Sequence, residues 1–578
     1  MRSLVLKKSL KLFLLISCAA LCLVLMATSA FAVPSATGEP GTCRSHTGKL
    51  LTLDSLPAPR SAGYSKKAYV PALEHTTRNI PLLTIVVGFP NMPYDDTYDW
   101  NETFFSGERS ITAYYSDMSL GKFTFVPAKE TAAYDGSAIT NRADKANDGV
   151  IHVTLSTNHI DWSTNYAKTN PKKDKEQYRQ LTLAMKAAIE KVGEYIDFAS
   201  YDLDGNGVIE SSELALGFVV AGYEGAYVEA LEDSDLDKSL LLWAHAYTIT
   251  DMISDYQFDF DPPKPDGVVV SDYIAVAENL MPGLPQPIST LAHELGHYLG
   301  LPDLYDTEYM TNAQWSDYTV HVTSIMCSAW GTDLESGEEE AYVPYSMDPW
   351  CRYKLGWVEP VVADATGDYT VSGQTYTKKD AYQVVLIPTQ KSQEYYLAEN
   401  RQLTKWDAGM TVDYEGASLI GGVILWHVDD AAYDLYHEYN AVNNTVHRPA
   451  VMPLFPESLN DKTVFTGGNG SVYVGNPFYD RTFCIDKLGL EDAVINLPLY
   501  GTGSFADLRS GRWNSGITVK FLDDSAPTMT LHVDQGDRAE LKDENECMYC
   551  HRVHTGFFGN IVAFFHRLFF VIRSFFGK

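Results

Sequence analysis

The pentapeptide His293-Glu294-Leu295-Gly296-His297 carries the densest chemistry in the sequence. On a helix, positions i and i+4 share a face, so two imidazoles at that spacing can reach one Zn2+. Glu294 follows the first histidine and points toward a water held by the metal. Zinc brings the pKa of such a water to about 7, and a neighbouring carboxylate can take its proton during attack on a peptide carbonyl. The pattern continues as His293-Glu294-x-x-His297-x-x-Gly300-x-x-Asp303. Gly300 suits the end of the helix, where a positive φ turns the chain back. That turn would bring Asp303 to the metal as third ligand and leave a fourth position for water. Asp306 and His321 are rivals for the third place. The plain alternative is an amphipathic helix with two surface histidines and a capping glycine.

A second metal signature runs from Asp202 to Glu213, Asp-Leu-Asp-Gly-Asn-Gly-Val-Ile-Glu-Ser-Ser-Glu. It matches the twelve-residue EF-hand loop: Asp202, Asp204 and Asn206 offer oxygens, Gly207 takes the turn position, Val208 gives its carbonyl and Glu213 closes the loop. A structural Ca2+ pinning the preceding helix to the following strand is expected; the alternative is a plain acidic turn. The C-terminus adds Cys547-Met548-Tyr549-Cys550-His551 and His554, which could ligate a second zinc. The same Cys-x-x-Cys-His spacing serves covalent haem attachment, but a bare tail offers no haem pocket, and a local disulfide or free thiols is the simpler reading. Gly556–Lys578 then holds eight Phe, with Arg567, Arg573 and Lys578 as its charges and no acid. This suits a basic amphipathic helix on an anionic membrane surface or a partner.

These groups need a scaffold, and the chain is long enough to supply one. Its 578 residues, 45% hydrophobic and 21% charged, describe a folded protein. Lys plus Arg number 44 against 75 Asp plus Glu, a net charge of −31. Such acidity excludes a sequence-independent nucleic-acid binder. Arg2, Lys7, Lys8 and Lys11 precede an apolar run from Leu12 to Met26, and Ala30-Phe31-Ala32 forms a small-x-small site. Residues 1–32 therefore read as a secretory signal, with a retained anchor as the competing reading. Six scattered cysteines after it do not make a disulfide scaffold. Cys43 lies in 33–65, a Pro-, Gly- and Ser-rich linker or short pro-segment, where its thiolate could block the zinc.

Residues 82–89 read as a buried strand, and apolar positions from Tyr178 to Ile196 recur at three and four as in a one-faced helix. Leu214–Val220 and Leu240–Ala244 read as strands and Ile288–Leu299 as a helix. Beyond Pro360, runs such as Ala381–Pro388, Glu394–Leu397, Gly422–Val428 and Ile517–Leu522 alternate with turn residues. The stretch 361–535 reads as a β-rich, sandwich-like domain, and 536–578 as an acidic linker and the basic tail.

With these residues in view, the chain resembles the immune-inhibitor-A-like secreted bacterial zinc metalloproteases, a metzincin-related family. The resemblance spans roughly 78–430. It rests on Ser110–Tyr115 with Ser119–Lys122, Phe218–Tyr223, Leu242–His245, the zinc motif with Leu301-Pro302-Asp303, Tyr353–Trp357, Glu399–Arg401 and Ile424–His427. Met326, in Ser324-Ile325-Met326-Cys327, falls in the window of the turn that underlies the metal in metzincins. The resemblance implies an α+β metzincin-like protease domain over 66–360, with His293, His297 and Asp303 as zinc ligands and Glu294 as catalytic base. It departs from the usual metzincin in having Asp303 where a third histidine stands. The implied function is a secreted endopeptidase acting on extracellular proteins, retained at the cell surface by its tail. The rival is a surface adhesion or binding protein with a vestigial metal site.

Overall fold

The computed structural model describes residues 77–130, 147–160, 171–226, 236–305, 323–327, 343–374, 382–389, 393–411, 422–437, 440–443, 449–454, 495–498, 514–523 and 526–536. The signal segment, Cys43, the rivals Asp306 and His321, and the Cys547–His554 tail lie outside them.

The first half is built on β1 (Ile80–Gly88), β2 (Phe125–Pro127), β3 (Val150–Thr154), β4 (Val208–Ile209), β5 (Ala215–Glu224), β6 (Leu241–Leu242), β7 (His245–Thr248), β8 (Val269–Val270), β9 (Asp272–Met281) and β10 (Leu284–Pro285). Eight of these form one sheet with the central order β10-β9-β5-β1-β2. Strands β1, β5 and β9 run parallel, and β2 and β3 both lie parallel along β1. Strands β7 and β10 run antiparallel on the outer edge of β9. Alternation sorts the side chains. Leu83, Ile85 and Val87 of β1 enter one core with Leu216, Phe218 and Val220 of β5. Leu82 and Val86 enter the opposite core with Ala215, Val219 and Val276. Helix Pro171–Val192 covers the first face, and helices Ile111–Met118 and Ile288–Tyr298 cover the second. A mostly parallel sheet buried on both faces gives near-continuous apolar runs. Parallel neighbours need crossover connections, and the helices that supply them make this half a layered, mixed α/β domain.

Two differences from the sequence reading are local. The 240–244 run is not one strand: a turn of 3-10 helix ends at Leu240, β6 holds only Leu241–Leu242, and β7 starts at His245. The long helix stops at Val192, so a short 3-10 turn, Phe198–Tyr201, leads into the Asp202 loop where an EF-hand helix was expected.

Later in the chain come β11 (Val361–Val362), β12 (Gly367–Ser372), β13 (Val385–Pro388), β14 (Glu394–Arg401), β15 (Gly422–Asp429), β16 (Val451–Leu454), β17 (Ile495–Pro498), β18 (Asn514–Phe521) and β19 (Thr528–Asp534). They form a five-stranded sheet, β11-β13-β14-β15-β16, and a four-stranded one, β12-β19-β18-β17. Tyr396, Ala398, Val423 and Leu425 pack between the two sheets with Ile517, Val519 and Leu531. The other face of β14 and β15 presents Tyr395, Leu397, Ile424, Trp426 and Val428. These join the core that holds Leu291, Leu295 and Tyr115 of the first half. The five-stranded sheet is therefore buried on both sides, and one core runs across the Pro360 boundary read from the sequence.

That shared core predicts a shared transition. Trp426 is fully buried and its Nε1 donates to Glu399 Oε1 at 3.1 Å. Trp426→Ala is expected to cost about 3–5 kcal/mol in urea denaturation, with both halves still unfolding together; separate transitions would contradict the shared core.

Candidate metal centre

Helix Ile288–Tyr298 is buried from Ser289 to its end. Its i, i+4 histidines face the same way, with ring centroids 4.7 Å apart and planes nearly perpendicular. His293 Nδ1 lies 2.8 Å from the Ile325 carbonyl, and His297 Nδ1 lies 2.8 Å from the Leu301 carbonyl. A carbonyl oxygen only accepts, so each Nδ1 carries the proton and each neutral ring keeps its lone pair on Nε2. Those Nε2 atoms stand 3.1 Å apart. Asp303 Oδ1 lies 3.2 Å from one and 3.3 Å from the other. With both rings neutral, three electron-pair donors converge here. Among the described residues they form a group able to hold a metal ion. Tetrahedral bonds of about 2.0–2.1 Å place ligand atoms roughly 3.3–3.4 Å apart, which fits these separations, and two imidazoles with one carboxylate suit zinc.

The turn that delivers Asp303 is a Schellman motif. Leu301 N donates to the Gly296 carbonyl at 3.0 Å and Gly300 N to the His297 carbonyl at 2.8 Å. Gly300 has φ +94°, a region where a side chain is strained. The same turn aims the Leu301 carbonyl back at His297. Met326 is buried directly under the helix: a Cβ on Gly296 would lie 2.4 Å from its sulfur. Its turn also works through its backbone. The Ile325 carbonyl orients His293, and the Met326 carbonyl accepts from Leu304 N at 2.9 Å. Behind the turn, Arg401 donates from Nη1 to the Thr323 carbonyl at 2.8 Å and from Nη2 to Glu399 Oε1 at 2.7 Å. A residue of β14 is thereby tied to the metal-side turn.

Glu294 is fully buried, and neither carboxylate oxygen accepts a hydrogen bond among the described residues. Burial pushes its pKa well above the carboxylate range; His297 opposes the shift, while Asp303 and Glu224 add to it. Glu224, at the end of β5, carries no local motif that would mark it in the sequence. Burial lifts it to about 7 even though it accepts from the Ala244 and Ala226 amides. Burial would likewise raise Asp303, but the two imidazoles outweigh it and hold the carboxyl well below its usual range. Burial disfavours a charge on His297, yet the Asp303 carboxylate prevails and pushes it up to about 9. In the absence of a metal the pocket draws in a proton instead.

Two asparagines from the second half reach this site. Asn440 bonds to Asp303 through both its backbone and its carboxylate, and Asn443 Nδ2 donates to the Leu304 carbonyl at 2.8 Å. No spacing rule points to residues more than 130 positions away.

The Asp202–Glu213 loop brings Asp202, Asp204 and Glu213 together as a second group able to hold a metal. Asp202 Oδ2 accepts from Gly207 N at 2.9 Å, with φ +83° at Gly207. Asn206 Oδ1 accepts from Val208 N, and its amide goes to Asp204 and Glu210. Val208 itself enters β4, which pairs with β8.

The first half of the chain thus carries a buried His/Asp group able to hold a metal, on a helix laid against a layered α/β sheet. Residues 72–358 match the family model of the immune inhibitor A peptidase M6 catalytic domain, and through this region the chain belongs to that peptidase family. Its substrates are therefore proteins or peptides. No curated protein shows a significant match to the chain.

A pH prediction follows from His297. Its folded pKa of about 9 lies above the unfolded value of about 6.5. The stability it contributes to chelated protein is therefore complete below pH 6.5 and lost as pH rises through 9. The melting temperature of the chelated parent, relative to His297→Gln, is expected to fall over that window. A constant difference between the two proteins would contradict the His297–Asp303 pairing.

Proposed function

We propose that the chain is a secreted zinc-dependent endopeptidase, with His293, His297 and Asp303 holding the metal and Glu294 as general base. The observation that carries this reading is the convergence of two Nε2 lone pairs and Asp303 Oδ1 beside a carboxylate that accepts no hydrogen bond among the described residues. Zinc in that group would supply Lewis acidity toward a peptide carbonyl and toward water. Glu294 takes the proton of the attacking water and later gives it to the leaving amine nitrogen. Both of its carboxylate oxygens accept no hydrogen bond among the described residues, which leaves them for that proton. The Ile325 and Leu301 carbonyls keep both rings in the metal-binding tautomer.

Export and surface retention belong to the same proposal and rest on residues 1–32 and on the Phe-rich basic tail. Among the described residues no helix is long and apolar enough to cross a membrane. Ca2+ at Asp202, Asp204 and Glu213, with Asn206 and the Val208 carbonyl, would hold the loop that precedes β5.

The mature chain, loaded with zinc, is expected to cleave casein with release of new amino termini. Glu294→Ala should lower that rate by about 10²–10⁴-fold with zinc still bound. Equal cleavage by both proteins would remove Glu294 from the mechanism. For the second ion, calcium is expected to raise the melting temperature of the parent but not of Asp202→Ala; an equal rise in both would place calcium elsewhere.

A further inference from the structure

Asp303 has two carboxylate oxygens, and the structure gives them different tasks. Oδ1 faces both histidine Nε2 atoms. Oδ2 accepts a hydrogen bond from Asn440 Nδ2 at 2.5 Å. Asn440 also uses its other side-chain atom on the same residue: Oδ1 accepts from Asp303 N at 2.7 Å. One amide group therefore holds the ligand by its main chain and by its carboxylate. Such a two-point clamp fixes the rotation of the carboxylate and leaves one oxygen for a metal.

The clamp is itself secured. Asn440 has φ +51°, a left-handed conformation that asparagine tolerates better than most residues. Three residues on, Asn443 is fully buried. Its Nδ2 donates to the carbonyls of Leu304 and Val451 at 2.8 Å each, and its Oδ1 accepts from Ala450 N and Val451 N. Asn443 thus ties this segment to the residue after Asp303 on one side and to β16 on the other. Both asparagines stand beyond residue 358, where the peptidase family match ends.

Resting on the zinc reading above, we propose that Asn440 is a positioning residue for the third metal ligand, and that the metal site is completed by a segment outside the matched catalytic domain. The amide restricts Asp303 to one-oxygen binding and withdraws part of its negative charge. Loss of such an outer hydrogen bond lowers metal affinity about 10–100-fold.

The test uses the full mature chain and two variants. Asn440→Gly suits the left-handed backbone and removes the clamp; Asn440→Ser retains a short polar side chain should the glycine variant fail to fold. Zinc affinity is measured by chelator competition, the visible d–d spectrum after Co2+ substitution, and the melting temperature on metal-free protein. The expected result is a 10–100-fold weaker zinc Kd with an altered cobalt spectrum, at a metal-free melting temperature close to the parent's. A role confined to holding the loop would lower the melting temperature and leave the spectrum as in the parent, and this would overturn the inference. Unchanged zinc affinity in a parent that binds zinc would overturn it as well. A folded parent that binds no zinc would overturn the metal reading, and this inference with it.

Discussion

Two main-chain carbonyls, those of Ile325 and Leu301, decide the chemistry of this molecule. Each takes the Nδ1 proton of one motif histidine, so each ring presents a lone pair at Nε2. Without these acceptors the rings could adopt the other tautomer and turn their N–H groups toward Asp303. The group would then be a hydrogen-bonded cluster and not a ligand set. Both carbonyls belong to turns, and each turn has a sequence cause. Gly300 permits the first through its positive φ. The second is held by Ser324, whose hydroxyl donates to Asp348 Oδ2 at 2.6 Å and accepts from Met326 N at 3.1 Å. The cost of bringing two lone pairs and a carboxylate together in a buried place is met only by a cation. That is why the pocket raises the pKa of His297 when a proton is the cation available.

The surrounding fold keeps water from relaxing this arrangement. Tyr115, fully buried, donates to the Ala292 carbonyl at 2.7 Å, which anchors the metal helix one residue before His293. Tyr298 donates to the Leu214 carbonyl at 2.7 Å and ties the end of that helix to the entry of β5. On the far side stands the five-stranded sheet. Its Arg401 is buried and shares Glu399 with Tyr382 and Trp426. A buried Arg–Glu pair adds little net stability by itself. Here its other arm reaches the Thr323 carbonyl, so the pair contributes position.

Local patterns were legible and distant ones were not. The i, i+4 histidines, the intervening glutamate and Gly300 could be read because a helix and its C-terminal turn fix geometry within ten residues. Asp303 followed from that turn, although the sequence also offered Asp306 and His321. Glu224 and Asn440 could not be found this way: they come from the end of a strand and from a loop, brought in by tertiary packing alone. The two-sided burial of β14 and β15 left a trace in the unbroken apolar runs Tyr395–Ala398 and Val423–Leu425. A sandwich with one wet face would alternate. The Leu240–Ala244 run misled because its apolar residues are shared by the end of a 3-10 turn, a two-residue strand and the link to β7.

The pairing of Asp303 with Asn440 also shows why a carboxylate can stand where a third imidazole would otherwise serve. An imidazole has one nitrogen for the metal and needs an acceptor for the other. A carboxylate needs the opposite, a donor that occupies its second oxygen and restrains its rotation. Main-chain carbonyls answer the first need for His293 and His297. A side-chain amide answers the second for Asp303, and its Oδ1 is at the same time occupied by the Asp303 main chain. Replacing Asp303 by histidine would therefore set an imidazole against the Asn440 amide, whose NH2 could serve only a ring nitrogen that carries no proton. Asp303 and its distant partner Asn440 form one hydrogen-bonded unit, and the peptidase half of the chain is joined to the β-rich half at this group.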